Sequence, residues 1–311
     1  MKELRILGKE LILGWEIVCG DKKCVTLQAN HLEMTEKDLR EANPWKRIAE
    51  MLKSEEEDCL FREKNKEWYV LPEDQKEIEG FNRRCTKENQ IITNTPPEPW
   101  RGNPLQANLI LLSLNPGYDP NINESLAKLI QANKSVRKEL IEFRQKTLNL
   151  NADSFMPHKD DKRPISCFET EDMISGWYWT KKFKELREAS QIDESEFYRR
   201  VAMIEFHGYS SISYKEWYKE QPSYLDSQLF NKRLIQYIIE HQEEVCFLVL
   251  RSWDLWKGLL DSDEEDYVAK HKELFKINEH PRCQYITENN LGETVWNEII
   301  TAIKKEPKKK Q

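Results

Sequence analysis

Five polar residues stand where short apolar runs end. Asn115 and Asp119 follow Ala107–Leu114, Glu205 and His207 close Val201–Phe206, and His280 follows Leu274–Ile277. Carboxylates and imidazoles move protons and amides orient water, so these residue types drawn from separate strands would make one catalytic set. Each also has a plainer use. Asn115-Pro116-Gly117 is a common turn sequence, Glu205 can pair with an arginine such as Arg251, and His207 can be a packing residue. His280 can sit in a surface turn.

The elements that must position these residues follow from the pattern. Ala107–Leu114 holds six aliphatic residues in eight positions, too few to span a membrane and too apolar for a half-exposed strand, so a fully buried strand is expected. Pro116 lacks the ladder donor and Gly117 admits positive φ, so the chain turns there and releases polar side chains at the strand's carboxyl end. Further buried strands are expected at Val201–Phe206, Val245–Leu250 and Leu274–Ile277. Amphipathic helices are expected over Asn123–Leu148, from Trp177, over Leu229–Ile239 and around Trp296–Ile303. Strands alternating with helices imply an α/β, three-layer α/β/α fold with a mainly parallel four-stranded sheet, whose ligands bind beyond the carboxyl ends of the strands.

Residues 1–92 are expected to form an accessory α+β domain, with strand pieces at Leu11–Val18, Lys23–Leu27 and Trp68–Leu71. A Thr35/Asp38 capping box and a helix started by Asn43-Pro44 carry Trp45, Ile48, Met51 and Leu52 to its core. Residues 93–104, with four prolines, are expected to be a linker, 105–304 the α/β domain and 305–311 a basic tail.

The net charge of −7 argues against a broad nucleic-acid surface while leaving room for a small cleft. Mean hydropathy of −0.79 and the absence of a signal-peptide core or spanning segment imply a cytoplasmic protein without a membrane partner. Seven cysteines with no CxxC fit reduced thiols rather than a zinc site or iron–sulfur cluster. The acidic run Asp261–Asp266 is expected to be a solvated loop, and Trp177 and Trp179 to be core residues.

The order of the motifs is more specific than their composition. Asn115-Pro-Gly-Tyr118 after the first buried strand, a polar residue closing the middle strand, and His280-Pro281 after the last resemble the uracil-DNA glycosylase superfamily over residues 95–303. Tyr285-Ile-Thr-Glu-Asn-Asn-Leu-Gly292 before a helix is similar to poorly characterised members. The resemblance implies an uracil-DNA glycosylase-like fold, a DNA partner, a monomer, and hydrolysis with no metal or organic cofactor. It implies that Asn115, with Asp119 assisting, positions the attacking water and that His280 stabilises the departing base. Glu205 would read the base edge, Tyr118 and His207 would line the pocket, and Phe155 would stack on the base. Arg282, Gln284 and Tyr285 would lie on the loop that probes the DNA and fills the gap left by a flipped nucleotide.

Glu205 departs from the family, whose uracil-specific members hold an Asn there. An ionised carboxylate only accepts hydrogen bonds, which suits the amino group of cytosine rather than uracil O4. The expected substrate is therefore a cytosine-type base marked by a substituent, such as a phage modification, since attack on plain host cytosine would be lethal. Uracil, a non-catalytic binding module and an enzyme on free nucleosides remain the alternatives.

Overall fold

The Leu109–Ser113 strand is central because its four apolar residues leave no face for water. Leu109 to Leu112 are wholly buried, and parallel strands pair with it along both edges. The computed structural model describes residues 34–54, 69–118, 134–156, 175–213, 223–278, 285–306 and 308–309. Its strands in chain order are β1 (Trp100–Arg101), β2 (Leu109–Ser113), β3 (Val201–Glu205), β4 (Gln242–Glu243), β5 (Cys246–Val249), β6 (Phe275–Ile277) and β7 (Lys308–Lys309). Five of them form one sheet in the order β1-β3-β2-β5-β6, with β3, β2, β5 and β6 parallel and β1 antiparallel.

Alternation along the strands sends residues to two cores. Ile110, Leu112, Ala202, Ile204, Phe247 and Val249 face a layer built from the Lys46–Ser54, Pro72–Arg84, Lys134–Leu148, Asp226–His241 and Trp253–Leu260 helices. Leu109, Leu111, Val201, Met203, Cys246 and Leu248 face the Ser175–Ser190, Glu194–Arg200 and Glu293–Lys304 helices. The expected α/β architecture with a mainly parallel, doubly covered sheet is present, with one strand more than expected.

That extra strand lies inside the expected linker. Trp100 and Arg101 run antiparallel along Ile204 and Met203, Pro99 O accepts from Glu205 N (2.8 Å), and earlier contacts join Glu98 N to Gly208 O (2.8 Å) and Ile92 N to Ser210 O (2.8 Å). Prolines are tolerated there because the segment is an edge strand, where a missing N–H can face away from the sheet.

The stretch before it has no core of its own among the described residues. Trp45, Ile48, Leu52, Ile78 and Phe81 share one apolar cluster with Ile110, Ile204 and Phe230. The Thr35/Asp38 capping box forms as expected. Asn43 accepts from Trp45 N (3.0 Å) to start the next helix and donates to Leu148 O (2.7 Å), tying that helix to the one after β2. Residues 69–71 are not a strand; they turn into a helix that begins at Pro72, a favourable first position. Within the basic tail, Lys308–Lys309 pairs with Gln242–Glu243. The strand pieces expected at 11–18 and 23–27, and the first part of the helix expected from Asn123, lie outside the described residues.

Gly102 makes the tightest turn at β1. Its φ is +69°, and a Cβ there would sit 2.6 Å from Val201 O. Gly102→Ala is expected to cost about 3 kcal/mol in urea denaturation, since both the backbone strain and the clash must be relieved. Gly117→Ala, whose Cβ would meet nothing within 4 Å, is expected to change stability by less than about 0.5 kcal/mol.

Candidate active site

The strand order fixes where a ligand would enter. The chain leaves β2 for β3 on one side and later returns to β5 on the other, so the connections diverge above the carboxyl ends of β2 and β5. The β2–β3 ladder continues past the strands: Phe206 N donates to Ser113 O (3.1 Å) and His207 N to Leu114 O (2.9 Å). Trp256 Nε1 also caps Ser113 O (2.9 Å). Two loops therefore run side by side, and they hold Asn115.

Asn115 is half-buried, and its amide is oriented by its neighbours. Nδ2 donates to Pro116 O (3.0 Å) and to Ser211 Oγ (2.9 Å). Because a carbonyl only accepts, the nitrogen must face Pro116, and Oδ1 is left as an acceptor. Ser211 N in turn donates to Pro116 O (3.3 Å), and Ser211 O accepts from Tyr118 N (3.1 Å). Gly117 does not use positive φ; it is bridged to Ser211 in an extended pairing. The Asn-Pro-Gly segment is thus a clamped loop rather than a free turn, and Tyr118 continues it, half-buried, with its phenol pushed upward by burial.

Glu205 pairs in register with Ser113 on the adjacent strand. Alternation puts both on the face of Leu111 and Met203, with Arg101 beside Met203 on β1. The residue is 3 % exposed and joins no ion pair among the described residues. Burial pushes its carboxyl up to about 8, against the Ser113 hydrogen bond and the Arg101 and Arg251 charges, and with help from Glu98. Burial works against the Glu98 charge too, yet Arg101 (2.6 Å) and Arg144 hold that carboxyl near 2. At neutral pH the ionised group is Glu98 and Glu205 is a neutral acid. A neutral acid donates as well as accepts, so Glu205 in this form matches the edge of a cytosine-type base and of uracil alike.

His207 is wholly buried, with its ring against Tyr209 (5.2 Å) and Nδ1 3.4 Å from Tyr209 O. Burial pushes it down to about 3, so it is a neutral packing residue and not a pocket wall. The Tyr209 hydroxyl donates to Asp74 Oδ2 (2.8 Å) and accepts from Leu71 N (3.1 Å), which braces the loop from behind.

Phe155 is also wholly buried, against Trp179 (5.2 Å) and Phe183 (5.2 Å). Its N–H donates to Tyr198 O (2.8 Å), before the start of β3, toward that strand's amino end. Its ring is enclosed by the aromatic cluster and presents no face to a base. Trp179 is a packing residue, as expected. Tyr285 is half-buried and lies beneath the Lys182 ammonium at 4.1 Å from the ring centre, a cation–π contact. Asp119, His280, Arg282 and Gln284 lie outside the described residues; β6 ends at Ile277, three residues before His280, and the next residue, Asn278, donates its N–H to Val249 O (3.0 Å).

The structure thus brings Asn115, Tyr118 and Glu205 to the ends of adjacent strands and removes Phe155 and His207. Ser211, Ser113, Arg101 and Glu98 join them. Among the described residues no group of three or more His, Cys, Asp or Glu is placed to hold a metal ion, and no helix is long and apolar enough to cross a membrane.

Glu205 makes the fold depend on pH with a definite sign. Its carboxyl is raised in the folded chain, so its contribution is full below the ordinary carboxylate range and is lost as pH rises toward 8. Glu205→Gln is expected to leave stability nearly unchanged at pH 4.5 and to raise it by about 2 to 3 kcal/mol at pH 7, measured by urea unfolding at both pH values. No protein-family model, curated protein or solved structure matches the chain.

Proposed function

We propose that the chain is a DNA N-glycosylase that hydrolyses the bond between deoxyribose and an extruded pyrimidine. The observation that carries this reading is the oriented Asn115 amide: Ser211 Oγ and Pro116 O take its nitrogen and leave Oδ1 as the acceptor, just past the carboxyl end of the strand that pairs with the one Glu205 ends.

The chemistry follows from that orientation. Cleaving an N-glycosidic bond leaves positive charge on the sugar and sends the bond's electron pair into the base. Asn115 is too weak a base to deprotonate water before the bond breaks. Its Oδ1 accepts one hydrogen of a water and aims the oxygen lone pair at the anomeric carbon, while the cationic character of the sugar supplies the drive. The proton lost from that water passes to solvent or to the Asp119 carboxylate, four residues on. His280, in the role the glycosylase resemblance gives it, stabilises the negative charge on the leaving base. A base inside a duplex is out of reach of a group half-buried at a strand end, so the nucleotide must be extruded. The protein supplies all of these groups from its own side chains.

DNA contact has to come from a local positive region, given the net charge of −7. Lys181 and Lys182 gather around the Tyr285 ring, at 5.9 and 4.1 Å, next to the segment that carries Arg282 and Gln284 in sequence.

Base release from oligonucleotides bearing uracil, cytosine or 5-hydroxymethylcytosine, followed by chromatography of the freed base, tests the proposal. Asn115→Ala is expected to slow release at least about 100-fold with DNA binding retained. Ser211→Ala, which frees the amide to rotate, is expected to slow it about tenfold. Absence of release from all three substrates by the unaltered protein, or equal activity on free nucleosides, would overturn it.

A further inference from the structure

One face of the Glu293–Lys304 helix does not fill the space in front of it. Glu298, Thr301, Ala302 and, just past the helix end, Lys305 recur at the three- and four-residue spacing that lines one side of a helix, while Ile299 and Ile303 beside them go to the core. The four face the start of β5 and the edge strand β6, where Ala302 is small and the other three are polar. The result is a groove of about 400 Å³, within the size range of small-ligand sites. It opens at the amino end of β5, whereas Asn115 follows the carboxyl end of the parallel β2.

The floor of the groove is neutral. Val245 and Cys246 are buried there, and burial pushes the Cys246 thiol up to about 12, so its sulfur is uncharged at neutral pH. The walls are charged in two places. Lys276 on β6 meets Glu298 at 2.7 Å, and Lys305 meets Glu244 at 2.7 Å. Glu244 holds φ at +59°, an uncommon conformation for a residue with a side chain and one that binding sites retain against its cost. Glu298 and Lys305 are two helical turns apart in sequence, which separates the two ion pairs by about 10 Å along the helix.

We propose that this groove binds a short linear zwitterion, an unblocked tripeptide of small apolar residues, with its carboxylate at Lys276 and its ammonium at Glu244. The site is separate from the one around Asn115 and does not depend on the glycosylase reading. Two lysines and two glutamates line the groove, so its charge sums to zero, and an occupant carrying one charge of each sign keeps that balance. Three extended residues, at up to about 3.5 Å each, span the distance between the ion pairs. The carboxylate goes to Lys276 because that side chain is 18 % exposed, against 43 % for Lys305, and an enclosed charge is screened less by solvent. Glu298 and Glu244 are half-exposed, and ion pairs of that kind hold too little energy to resist a ligand that shares them. The neutral floor between the pairs takes the apolar side chains.

Calorimetric titration of the full chain with trialanine, its N-acetyl and C-amide forms, and free alanine tests this. Trialanine is expected to bind with a Kd below about 1 mM. Either blocked form, which has lost one charge, and free alanine, which cannot reach both pairs, are expected to bind at least about tenfold more weakly. Lys276→Gln and Glu244→Gln are each expected to weaken trialanine about tenfold, and Ala302→Leu, which fills the floor, to abolish its binding. Melting curves check that the variants fold; the two Gln variants and the blocked peptides carry the test if Ala302→Leu does not. No binding of trialanine up to about 5 mM, equal affinity for a blocked form or for alanine, or unchanged affinity in any folded variant would overturn the proposal.

Discussion

The hydrogen-bond ladder between β2 and β3 does not stop where the strands stop, and the candidate site depends on that continuation. Ser113 O and Leu114 O go on accepting from Phe206 N and His207 N, so the two loops leave the sheet as a pair. A loop ending in Asn-Pro-Gly would otherwise sample many orientations, and an amide that rotates cannot hold a water in one place. Here the partner loop supplies Ser211 at the distance that fixes Nδ2, and the main chain of Pro116 removes the remaining ambiguity. Both clamping contacts are local, yet they exist only because residues 96 positions apart are brought together by parallel pairing.

The paired loops are supported from behind by residues that belong to the first part of the chain. Tyr209 projects from the second loop into Asp74 and Leu71 N, and Trp45 packs edge-on against Tyr209 at 5.3 Å and against Trp100 at 6.5 Å. Ile92 N, Glu98 N and Pro99 O extend the same loop's backbone into an edge strand. Gly208 is where the two approach most closely: a Cβ there would lie 2.7 Å from the Trp45 ring. The described N-terminal residues are therefore part of the scaffold that holds the site, not an appendage to it.

Much of this architecture was legible because the buried strands are unmistakable: Leu109-Ile-Leu-Leu112 and Val201-Ala-Met-Ile204 have no solvent-facing alternation, which only a doubly covered sheet explains. The strand ends could be read with them, since Asn115 and Glu205 are the first polar groups after each run. Position along the sheet was not legible. Phe155 follows a helix and looks like a loop aromatic, but the return of the chain to the amino end of β3 carries it under Trp179 and Phe183. The four prolines of 93–104 masked an edge strand, because a proline reports only that its own N–H is missing and not on which side of the ladder that N–H would have pointed. Protonation was least legible of all. From sequence, Glu205 is an ordinary carboxylate; only its burial shows that it is not.

His207 and Glu205 are two residues apart and both enclosed, and burial keeps both neutral at pH 7, but with opposite consequences for stability. The His207 ring lies on Tyr209 with Nδ1 toward its carbonyl, and an uncharged imidazole suits that apolar wall. The protein gives up stability only below the usual histidine range, where the unfolded chain takes a proton the folded one refuses. Glu205 works against the fold in the opposite direction, across the range from its ordinary value up to about 8, which includes neutral pH. An aliphatic residue or a glutamine at that position would remove the cost without disturbing the β3 ladder, whose bonds are main-chain. The Glu205 carboxyl thus costs the fold stability at neutral pH, where the neutral His207 ring costs none.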